Sequence, residues 1–398
     1  MRIAFFTDTF LPQLNGVSIT MQKLFEYLDQ RSDCDYIVFA PGPGEDMNNK
    51  VYRSTSIKFI LYPECRISIP NYLFISKTLN DFKPDLIHIS TPFSMGLCGL
   101  FYAGKHGIPV TSVYHTNFND YLKYYRLKFI SGMAWKYFAW FHNHCDINYC
   151  PSIYTKEQLL LRGFKNLELW VRGVDTDLFS PKYRGTSPCV YHMNDKTTFL
   201  YVGRVAAEKN FGVLTTAIDL INRDHYDKVH FLIIGDGPML EKVKGWEPGN
   251  VTCTGYLTGL SLARAYANAD VFIFPSTSET FGNVVLEAMA SGLPVVGAFA
   301  AGVRDNLIDG FNGISCKPDD PVDLAAGAVK LLKDKKLMKT LGEQARSYSL
   351  EKSLEAGFQH LIESWEVLIG KQASISKVTG PQIIMDSRVA CYPEKFTS

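Results

Sequence analysis

The chain has 398 residues, with 41 basic and 40 acidic side chains, and it carries nine cysteines. This length is enough for two domains, each with its own hydrophobic core. The near balance of charge offers no argument for nucleic acid as a partner. The cysteines lack the spacing of a metal site, and we expect no secretory leader, which predicts a cytoplasmic protein with free thiols. No apolar run reaches the about 18 residues of a transmembrane helix.

Short apolar runs alternate with helix-like stretches along the chain. The predicted strands are residues 3–6, 36–39, 86–89, 110–114 and 147–149 in the first half, and 199–202, 229–234, 271–274 and 295–297 in the second. Their continuous hydrophobicity predicts parallel strands covered on both faces, and residues 172–181 between the halves are the expected hinge. The predicted fold class is therefore α/β, with two doubly wound sheets. Ligands of such sheets bind beyond the carboxyl ends of the strands, so two facing sheets would form a cleft.

Two glutamates follow the predicted strand 271–274. Glu279 lies in a polar loop, and Glu287 lies about one and a half turns into a predicted helix that begins near Gly282 and stops at Gly292. The free N–H groups and the positive dipole at the start of that helix favour an anion. One carboxylate could therefore meet a ligand near its phosphates, and the other could reach a more distant hydroxyl. The alternative for both is an ordinary solvated face.

A second motif follows the predicted strand 199–202. Gly203 permits a tight turn, and the cations Arg204 and Lys209 come within six positions of it. A fixed Arg and a Lys can neutralise the charge that develops on a departing nucleoside diphosphate. The alternative for Lys209 is a surface salt bridge with Glu208 or a neighbour.

Four weaker signals accompany these motifs. Gly235 and Gly237 follow the strand 229–234, but a tight turn alone explains this pattern. Gly16 precedes a predicted helix and leaves room for a phosphate or sugar near the backbone. Asp8, at the end of the first strand, is either an acceptor contact or a cap, and the two are equally supported. His115 ends the strand 110–114, where histidines are more often structural than catalytic.

Taken together, these motifs resemble the retaining glycosyltransferases of the GT-B fold, in the large family 4 (group 1) that uses nucleotide-diphospho-sugars. The resemblance covers roughly residues 1 to 370. It implies two Rossmann-like domains facing across a cleft: an acceptor-binding domain, residues 1–177, and a nucleotide-sugar-binding domain, residues 178–350. It also implies that the last helix, at about residues 350–369 and assigned to residues 351–370, returns to the first domain. The tail, residues 371–398, has little periodicity, which is compatible with disorder.

The resemblance also implies roles for individual residues. The expected catalytic residues are His115, Arg204, Lys209 and Glu279. The expected donor-binding residues are Gly16, Gly203, Gly235, Phe281, Gly282, Asn283, Val284 and Glu287, of which Glu287 would accept from the ribose hydroxyls. The expected acceptor-binding residues are Asp8, Asn15, Tyr121 and Tyr125. For the reaction, the family implies same-face attack with the departing phosphate accepting the acceptor's proton; a double displacement would need a carboxylate nucleophile that cannot be assigned from sequence.

We expect no cofactor and no required metal. Asp175 and Asp177 resemble the metal-binding Asp-x-Asp of a different glycosyltransferase fold, but they lie in the predicted hinge. His142, His144 and the nearby cysteines fit no strong zinc template.

The segment 118–142 is rich in aromatic residues and carries four basic residues against one acid, an excess of three. Its apolar stripe, from residue 130 to residue 141, suits either an anionic membrane interface or packing on the core. Trp135 and Trp140 lie off that stripe. We therefore expect a peripheral protein on the inner face of the membrane.

The runs 114–117 and 170–175 resemble the subgroup that glycosylates membrane lipids, including phosphatidylinositol and diacylglycerol glycolipids. Some relatives carry an acid at position 117, where this chain has asparagine, which leaves the subgroup open. GDP-mannose is the first choice of donor, with a membrane lipid or lipid-linked glycan as acceptor. The alternative is a UDP-glucose-dependent glucosyltransferase of a glycolipid or cell-surface polysaccharide. The competing functions are a sugar-nucleotide epimerase and a non-catalytic sugar-nucleotide-binding protein.

Overall fold

The computed structural model describes residues 1–13, 16–42, 50–58, 66–114, 128–186, 196–240, 246, 248–279 and 281–379. Within these ranges the chain forms two parallel β-sheets of seven and six strands, each covered by helices. The predicted α/β class with two doubly wound sheets is confirmed. No described helix is both long and apolar enough to span a lipid bilayer.

The first sheet lies in the amino-terminal half. The strands of this half are β1 (Arg2–Phe6), β2 (Asp35–Pro41), β3 (Val51–Ser54), β4 (Ser56–Lys58), β5 (Arg66–Ser68), β6 (Leu86–Ile89), β7 (Val110–Val113), β8 (Ile147–Cys150) and β9 (Leu167–Leu169). The order across the sheet is β3-β2-β1-β6-β7-β8-β9, with every pair parallel. Strands β4 and β5 form a separate antiparallel hairpin.

Helices cover both faces of this sheet. They are α1 (Gly16–Asp29), α2 (Tyr72–Phe82), α3 (Ser94–His106), α4 (Lys128–Asn143) and α5 (Ile153–Leu160). Helices α2, α3 and α4 share one core layer, in which Ile75, Met95 and Phe141 pack with Phe6 of β1. Helix α1 packs on the opposite face, with Phe25 against Phe5. Because β1 is buried from both sides, it reads as a continuous apolar run.

The second sheet has strands β10 (Thr197–Val202), β11 (Val229–Ile234), β12 (Val251–Gly255), β13 (Val271–Phe274), β14 (Val295–Ala298) and β15 (Gly313–Cys316). Their order is β12-β11-β10-β13-β14-β15, again all parallel. The helices are α6 (Phe211–His225), α7 (Gly259–Asn268), α8 (Asn283–Ala290), α9 (Pro321–Lys333) and α10 (Lys335–Leu350). Strands β10 and β13 are adjacent and end at the same edge of this sheet. The motif with Arg204 and Lys209 and the loop with Glu279 therefore lie at that edge.

The last helix, α11 (Leu354–Thr379), packs on the first sheet rather than the second. Trp365 is fully buried there against Phe5, and Trp170 donates its indole N–H to the carbonyl of Gly357 at 2.9 Å. The predicted start near residue 350 is too early, because Leu350 ends α10 and a short turn precedes α11. The helix also continues beyond residue 371, where the predicted tail began, and residues 380–398 lie outside the described ranges.

The chain crosses between the halves twice, in the hinge and again between α10 and α11, and these two segments run side by side. Val174 of the hinge donates to Lys352 O at 2.9 Å and accepts from Leu354 N at 3.1 Å. Gly173 has φ of 74°, and a Cβ there would lie 2.2 Å from Ser353 O, so only glycine fits this crossing. The guanidinium of Arg346 in α10 binds the carbonyls of Thr176 and Phe179 at 3.2 and 3.0 Å. The hinge is thus held by the return crossing and by α10.

Candidate functional site

The side chains of Lys209 and Glu279 meet at the carboxyl edge of the second sheet. Lys209 Nζ lies 2.6 Å from Glu279 Oε1, and both side chains are largely buried, with 22% and 18% of their surface exposed. Ser276 Oγ donates to the same carboxylate oxygen at 3.2 Å. The structure therefore joins two predicted catalytic residues that lie 70 positions apart in the chain. The surface salt bridge with Glu208 does not form, because Lys209 turns inward to the site.

Local hydrogen bonds fix the loops that carry this pair. Lys209 ends a short 3-10 turn, Ala207–Lys209, and Asn210 follows with φ of 54°. The amide of Asn210 donates to Pro275 O and Thr277 Oγ1, and Ser278 Oγ donates to Glu208 O at 2.8 Å. These hydrogen bonds connect the loop after β10 to the loop after β13. The ion pair is therefore held from both sides.

The start of helix α8 adjoins the Glu279 loop. Gly302 N donates to Glu279 O at 2.8 Å, and the buried Asn306 amide donates to Phe281 O at 2.9 Å. Phe281 itself is buried in the core, so only its backbone faces the site. No side chain caps α8, and among the described residues no acceptor bonds to the N–H groups of Asn283 and Val284. These donors and the helix dipole suit an anionic ligand.

Arg204 lies at the same edge but is more exposed. Its guanidinium is 3.4 Å from the carboxylate of Glu208, with 52% of the side chain exposed to solvent. The hydroxyl of the buried Tyr201 donates to Arg204 O at 2.9 Å and so fixes its backbone. The loop is anchored, while the side chain of Arg204 stays exposed to solvent.

The predicted glycines have different surroundings. Gly235 has φ of 140°, and a Cβ there would lie 1.9 Å from Gly203 O. The loops after β10 and β11 therefore touch backbone to backbone, and Gly203 N and Val205 N continue the ladder to Ile234 O and Asp236 O. Around Gly16, at the start of α1, no described atom lies within 4 Å of the Cβ position, so the space beside its backbone is open.

Glu287 lies in the second turn of α8 and is partly buried. Its Oε2 accepts the hydroxyl of Tyr266 at 3.0 Å. Burial raises the pKa of Glu287 to about 7, although the bond from Tyr266 and the positive charge of Lys23 oppose that rise. Lys23 belongs to α1 and pairs with Asp175 of the hinge at 2.7 Å. The first half of the chain thus places a cation near a predicted donor-binding carboxylate.

Sequence reasoning missed Tyr266 and Lys23. Tyr266 sits in an apolar-patterned helix segment, where an aromatic residue predicts only core packing. Lys23 is an isolated lysine in α1 with no motif around it. Only the positions of these residues relative to Glu287 reveal their role.

Asp8 has no exposed surface, and its carboxylate accepts hydrogen bonds from the start of helix α3. It accepts from Ser94 Oγ at 2.9 Å, Met95 N at 3.0 Å and Thr91 Oγ1 at 2.9 Å. Burial raises the pKa of Asp8 to about 6, although these hydrogen bonds oppose the rise. A carboxylate used in this way is a cap on a helix start. The structure therefore favours the capping alternative, and an acceptor contact of Asp8 stays a prediction.

Four predicted site residues, Asn15, His115, Tyr121 and Tyr125, lie outside the described residues, and their roles stay predictions. Residues of the two patterns that resemble metal sites bond to other side chains. Asp175 pairs with Lys23, and His142 is buried and hydrogen-bonded to Ser112 and Asn148. Across the described ranges no three His, Cys, Asp or Glu side chains are grouped to hold a metal ion. Metal independence stays a prediction.

Helix α4 divides the predicted apolar stripe. Phe138 and Phe141 are buried, and Ala134 and Tyr137 pack partly against the core. Met133, expected on the same stripe, is 65% exposed. Trp140, expected off the stripe, is 49% exposed. The stripe therefore serves the core along most of its length, while the outer face of α4 retains large apolar side chains.

Comparison with known proteins gives two family matches. Residues 196–334 match the model described as "Glycosyl transferases group 1", and residues 14–178 match "Glycosyltransferase Family 4". The chain is 34% identical to a GDP-mannose-dependent alpha-mannosyltransferase of Mycobacterium tuberculosis, covering 79% of this chain and 83% of the relative. It is 30% identical to an alpha-monoglucosyldiacylglycerol synthase of Streptococcus pneumoniae, covering 74% of this chain and 70% of that protein.

Solved structures agree on the fold. The Anabaena HepE protein in complex with UDP has a TM-score of 0.74 at 17% identity, covering 92% of this chain and all of that chain. The sucrose-phosphate synthase of Thermosynechococcus elongatus has a TM-score of 0.73 at 20% identity, covering 93% of this chain and 100% of its own.

Proposed function

The chain belongs to glycosyltransferase family 4 (group 1), and we propose that it transfers mannose from GDP-mannose to a membrane-lipid or lipid-linked acceptor with retention of configuration. The observation that carries the proposal is the Lys209–Glu279 ion pair beside the uncapped start of α8. It brings a cation, a carboxylate and unpaired N–H donors to one edge, as a nucleotide-diphospho-sugar site requires.

The ion pair also suggests how the site changes when the donor binds. Without a ligand, Lys209 and Glu279 neutralise each other. A donor diphosphate offers Lys209 a more highly charged partner, and the freed carboxylate can then accept hydrogen bonds from sugar hydroxyls. Arg204, whose charged end is exposed, adds a second cation, and the N–H groups of Asn283 and Val284 add neutral donors.

In the proposed reaction, the bond between the sugar C1 and the diphosphate oxygen breaks. The acceptor hydroxyl oxygen forms the new bond to C1 on the same face, and its proton passes to the departing diphosphate. Arg204, Lys209 and the α8 start stabilise the negative charge that develops on that diphosphate. His115 is proposed to face the hexose, as the family resemblance implies. No metal is assigned a role.

The choice of GDP-mannose is supported by the relatives. Proteins named GDP-mannose-dependent alpha-mannosyltransferase in Mycobacterium tuberculosis, Corynebacterium glutamicum and Mycolicibacterium smegmatis are 34%, 29% and 29% identical to this chain. The alternative, UDP-glucose transfer to a glycolipid, is favoured by the glucosyldiacylglycerol synthases of Streptococcus pneumoniae and Acholeplasma laidlawii, at 30% and 27% identity.

Peripheral membrane binding follows from a lipid acceptor, and one surface suits it. Helices α2, α3 and α4 cover the same face of the first sheet, and Tyr72 of α2 meets Phe101 of α3 with 5.5 Å between ring centroids. These helices expose 82% of Leu73, 55% of Phe101 and 65% of Met133. They carry four lysines and one acidic residue, Asp81. Apolar side chains among lysines suit an anionic bilayer surface.

The donor is tested by thermal shift with GDP, UDP, ADP and their common hexose conjugates. A ligand at about 100 times its dissociation constant adds about 2.7 kcal/mol of stability. A selective shift with GDP supports the mannosyl proposal, and one with UDP supports the glucosyl alternative. A chain that binds the donor but never turns it over would be a non-catalytic binder, and a new free sugar nucleotide formed without acceptor would indicate an epimerase.

Transfer and membrane binding need separate assays. GDP-mannose and vesicles containing diacylglycerol and phosphatidylinositol should give a mannolipid, and NMR of its anomeric proton should show the α configuration of the donor. Arg204→Ala should slow this transfer strongly, and a normal rate would contradict the leaving-group role.

The double variant Leu73→Ser with Phe101→Ser tests membrane binding and should sediment less with phosphatidylglycerol vesicles. Val322→Ser, which changes a 64% exposed valine of α9, is the matched control.

A further inference from the structure

Tyr266 lies beneath Glu287 and has no surface exposed to solvent. Its ring packs against Phe179 and Phe272, with centroid distances of 5.5 and 5.9 Å. Its hydroxyl lies 3.0 Å from Glu287 Oε2 and 3.3 Å from Val284 O. Both acceptors belong to α8, and the ring itself belongs to α7. The packing leaves the hydroxyl little freedom to move away from them.

A tyrosine hydroxyl has one proton to donate. The shorter contact and the charged acceptor both favour donation to the carboxylate over the backbone carbonyl. Burial raises the pKa of Tyr266 well above its usual value, so the hydroxyl keeps its proton and remains a donor. Glu287 Oε2 is therefore engaged from inside the protein, and Oε1 is the carboxylate oxygen left for a ligand.

We propose that Tyr266 is a positioning residue of the donor site, which holds Glu287 through Oε2 so that Oε1 faces the vicinal hydroxyls of the donor's ribose. This inference rests on the proposed function, in which Glu287 binds the ribose. Tyr266 does not touch the donor in this arrangement. It acts by fixing the direction of the carboxylate and by favouring its charged form.

The charge of Glu287 gives a second consequence. The pKa of this carboxyl is about 7, raised by burial and lowered by the bond from Tyr266 and by the charge of Lys23. Lys23 is itself held by Asp175 of the hinge. Loss of the Tyr266 hydroxyl removes one of the groups that keep Glu287 ionised. The pH below which nucleotide binding weakens should therefore move upward in Tyr266→Phe.

The experiment uses the full chain and the nucleoside diphosphate that stabilises it, with its 2′-deoxy and 3′-deoxy forms. Dissociation constants are measured by calorimetry from pH 6 to pH 9 for the unchanged chain, Tyr266→Phe and Tyr149→Phe. Tyr149 is also fully buried and bonds through its hydroxyl to Ser364 at 2.7 Å, but it lies in the first domain, so it is the matched control. We expect Tyr266→Phe to weaken binding about tenfold and Tyr149→Phe to leave it unchanged.

The deoxy nucleotides separate positioning from general structural loss. If Tyr266 acts through ribose recognition, the penalties of Tyr266→Phe and of a missing ribose hydroxyl will not add, because both remove the same interaction. Additive penalties, or an unchanged pH profile in Tyr266→Phe, would overturn the inference and leave the donor site standing. Failure of the unchanged chain to bind any nucleoside diphosphate would overturn the proposed function and this inference together.

Discussion

Glu279 and Asp8 follow central strands at the carboxyl edges of the two sheets, yet they have opposite surroundings. Glu279 keeps 18% of its side chain exposed and pairs with Lys209, whereas Asp8 is fully buried and accepts three hydrogen bonds from the start of α3 and the residues before it. The difference lies in which N–H groups reach each carboxylate. At the start of α3 the N–H of Met95 already donates to the carboxylate of Asp8, whereas no described side chain accepts from the start of α8, whose N–H groups stay available to a ligand.

The largest effect is expected from Lys209→Ala. It removes the cation that faces the diphosphate in the proposed reaction, and it leaves the carboxylate of Glu279 without its partner. Transfer should fall by roughly a hundredfold to a thousandfold, as for loss of a preorganised group that stabilises developing charge. The measurement is kcat with saturating donor. Lys339→Ala is the control, since it removes a lysine that is 79% exposed and lies 3.8 Å from Glu343, and it should transfer at the normal rate.

Glu279→Gln separates the two partners of the ion pair. The change keeps the shape of the side chain but removes the charge that competes for Lys209, so GDP should bind as tightly as before or more tightly. Transfer should nevertheless fall, because the carboxylate proposed to bind the hexose is lost. Calorimetry with GDP and kcat are measured on one preparation. Weaker GDP binding, with transfer unchanged, would reverse the assigned roles.

Asp8→Asn tests the other member of the comparison through pH. Because the pKa of Asp8 is raised to about 6 in the folded chain, the folded state binds the proton more tightly than the unfolded state does. The free energy of unfolding therefore falls as the pH rises from about 4 to about 6. At neutral pH the total loss is on the order of 3 kcal/mol. Asparagine cannot ionise, so the variant should lose much less thermal stability than the parent between pH 4.5 and pH 7.

Asp85→Asn is the control for this pH series, because Asp85 is a partly exposed carboxylate that bonds to Arg2 N at 2.7 Å. A parallel decline in the parent and in Asp8→Asn would show that Asp8 does not carry the pH dependence.

The smallest effect is expected from Lys23→Met. This change breaks the partly exposed pair with Asp175 and removes a positive charge near Glu287. Such pairs contribute about 1 kcal/mol or less, so KM for the donor should rise only severalfold while kcat stays nearly unchanged. Steady-state kinetics with varied donor measure both values. A large fall in kcat would instead mean that Lys23 acts in the chemical step.

Interior strands were predictable and edge strands were not. All nine predicted strands are present, and each lies between two neighbours in its sheet. The missed strands β3, β9, β12 and β15 are the four sheet edges, and their residues are mostly only partly buried. Strands β4 and β5 form a separate short hairpin. A strand covered on both faces reads as a continuous apolar run, whereas an edge strand mixes polar and apolar residues.

The sequence by itself determined the two parallel sheets, the family, the positions of Arg204, Lys209 and Glu279 in the loops after central strands, and the position of Glu287 in the helix that follows. These features depend on local patterns, since buried strands must be apolar and turns at their ends need particular residues. Only the tertiary structure decided that Lys209 pairs with Glu279, that Asp8 caps α3, and that Tyr266 and Lys23 act on Glu287. Those contacts join residues far apart in the chain, so their formation depends on how the strands and helices pack and leaves no local pattern to read.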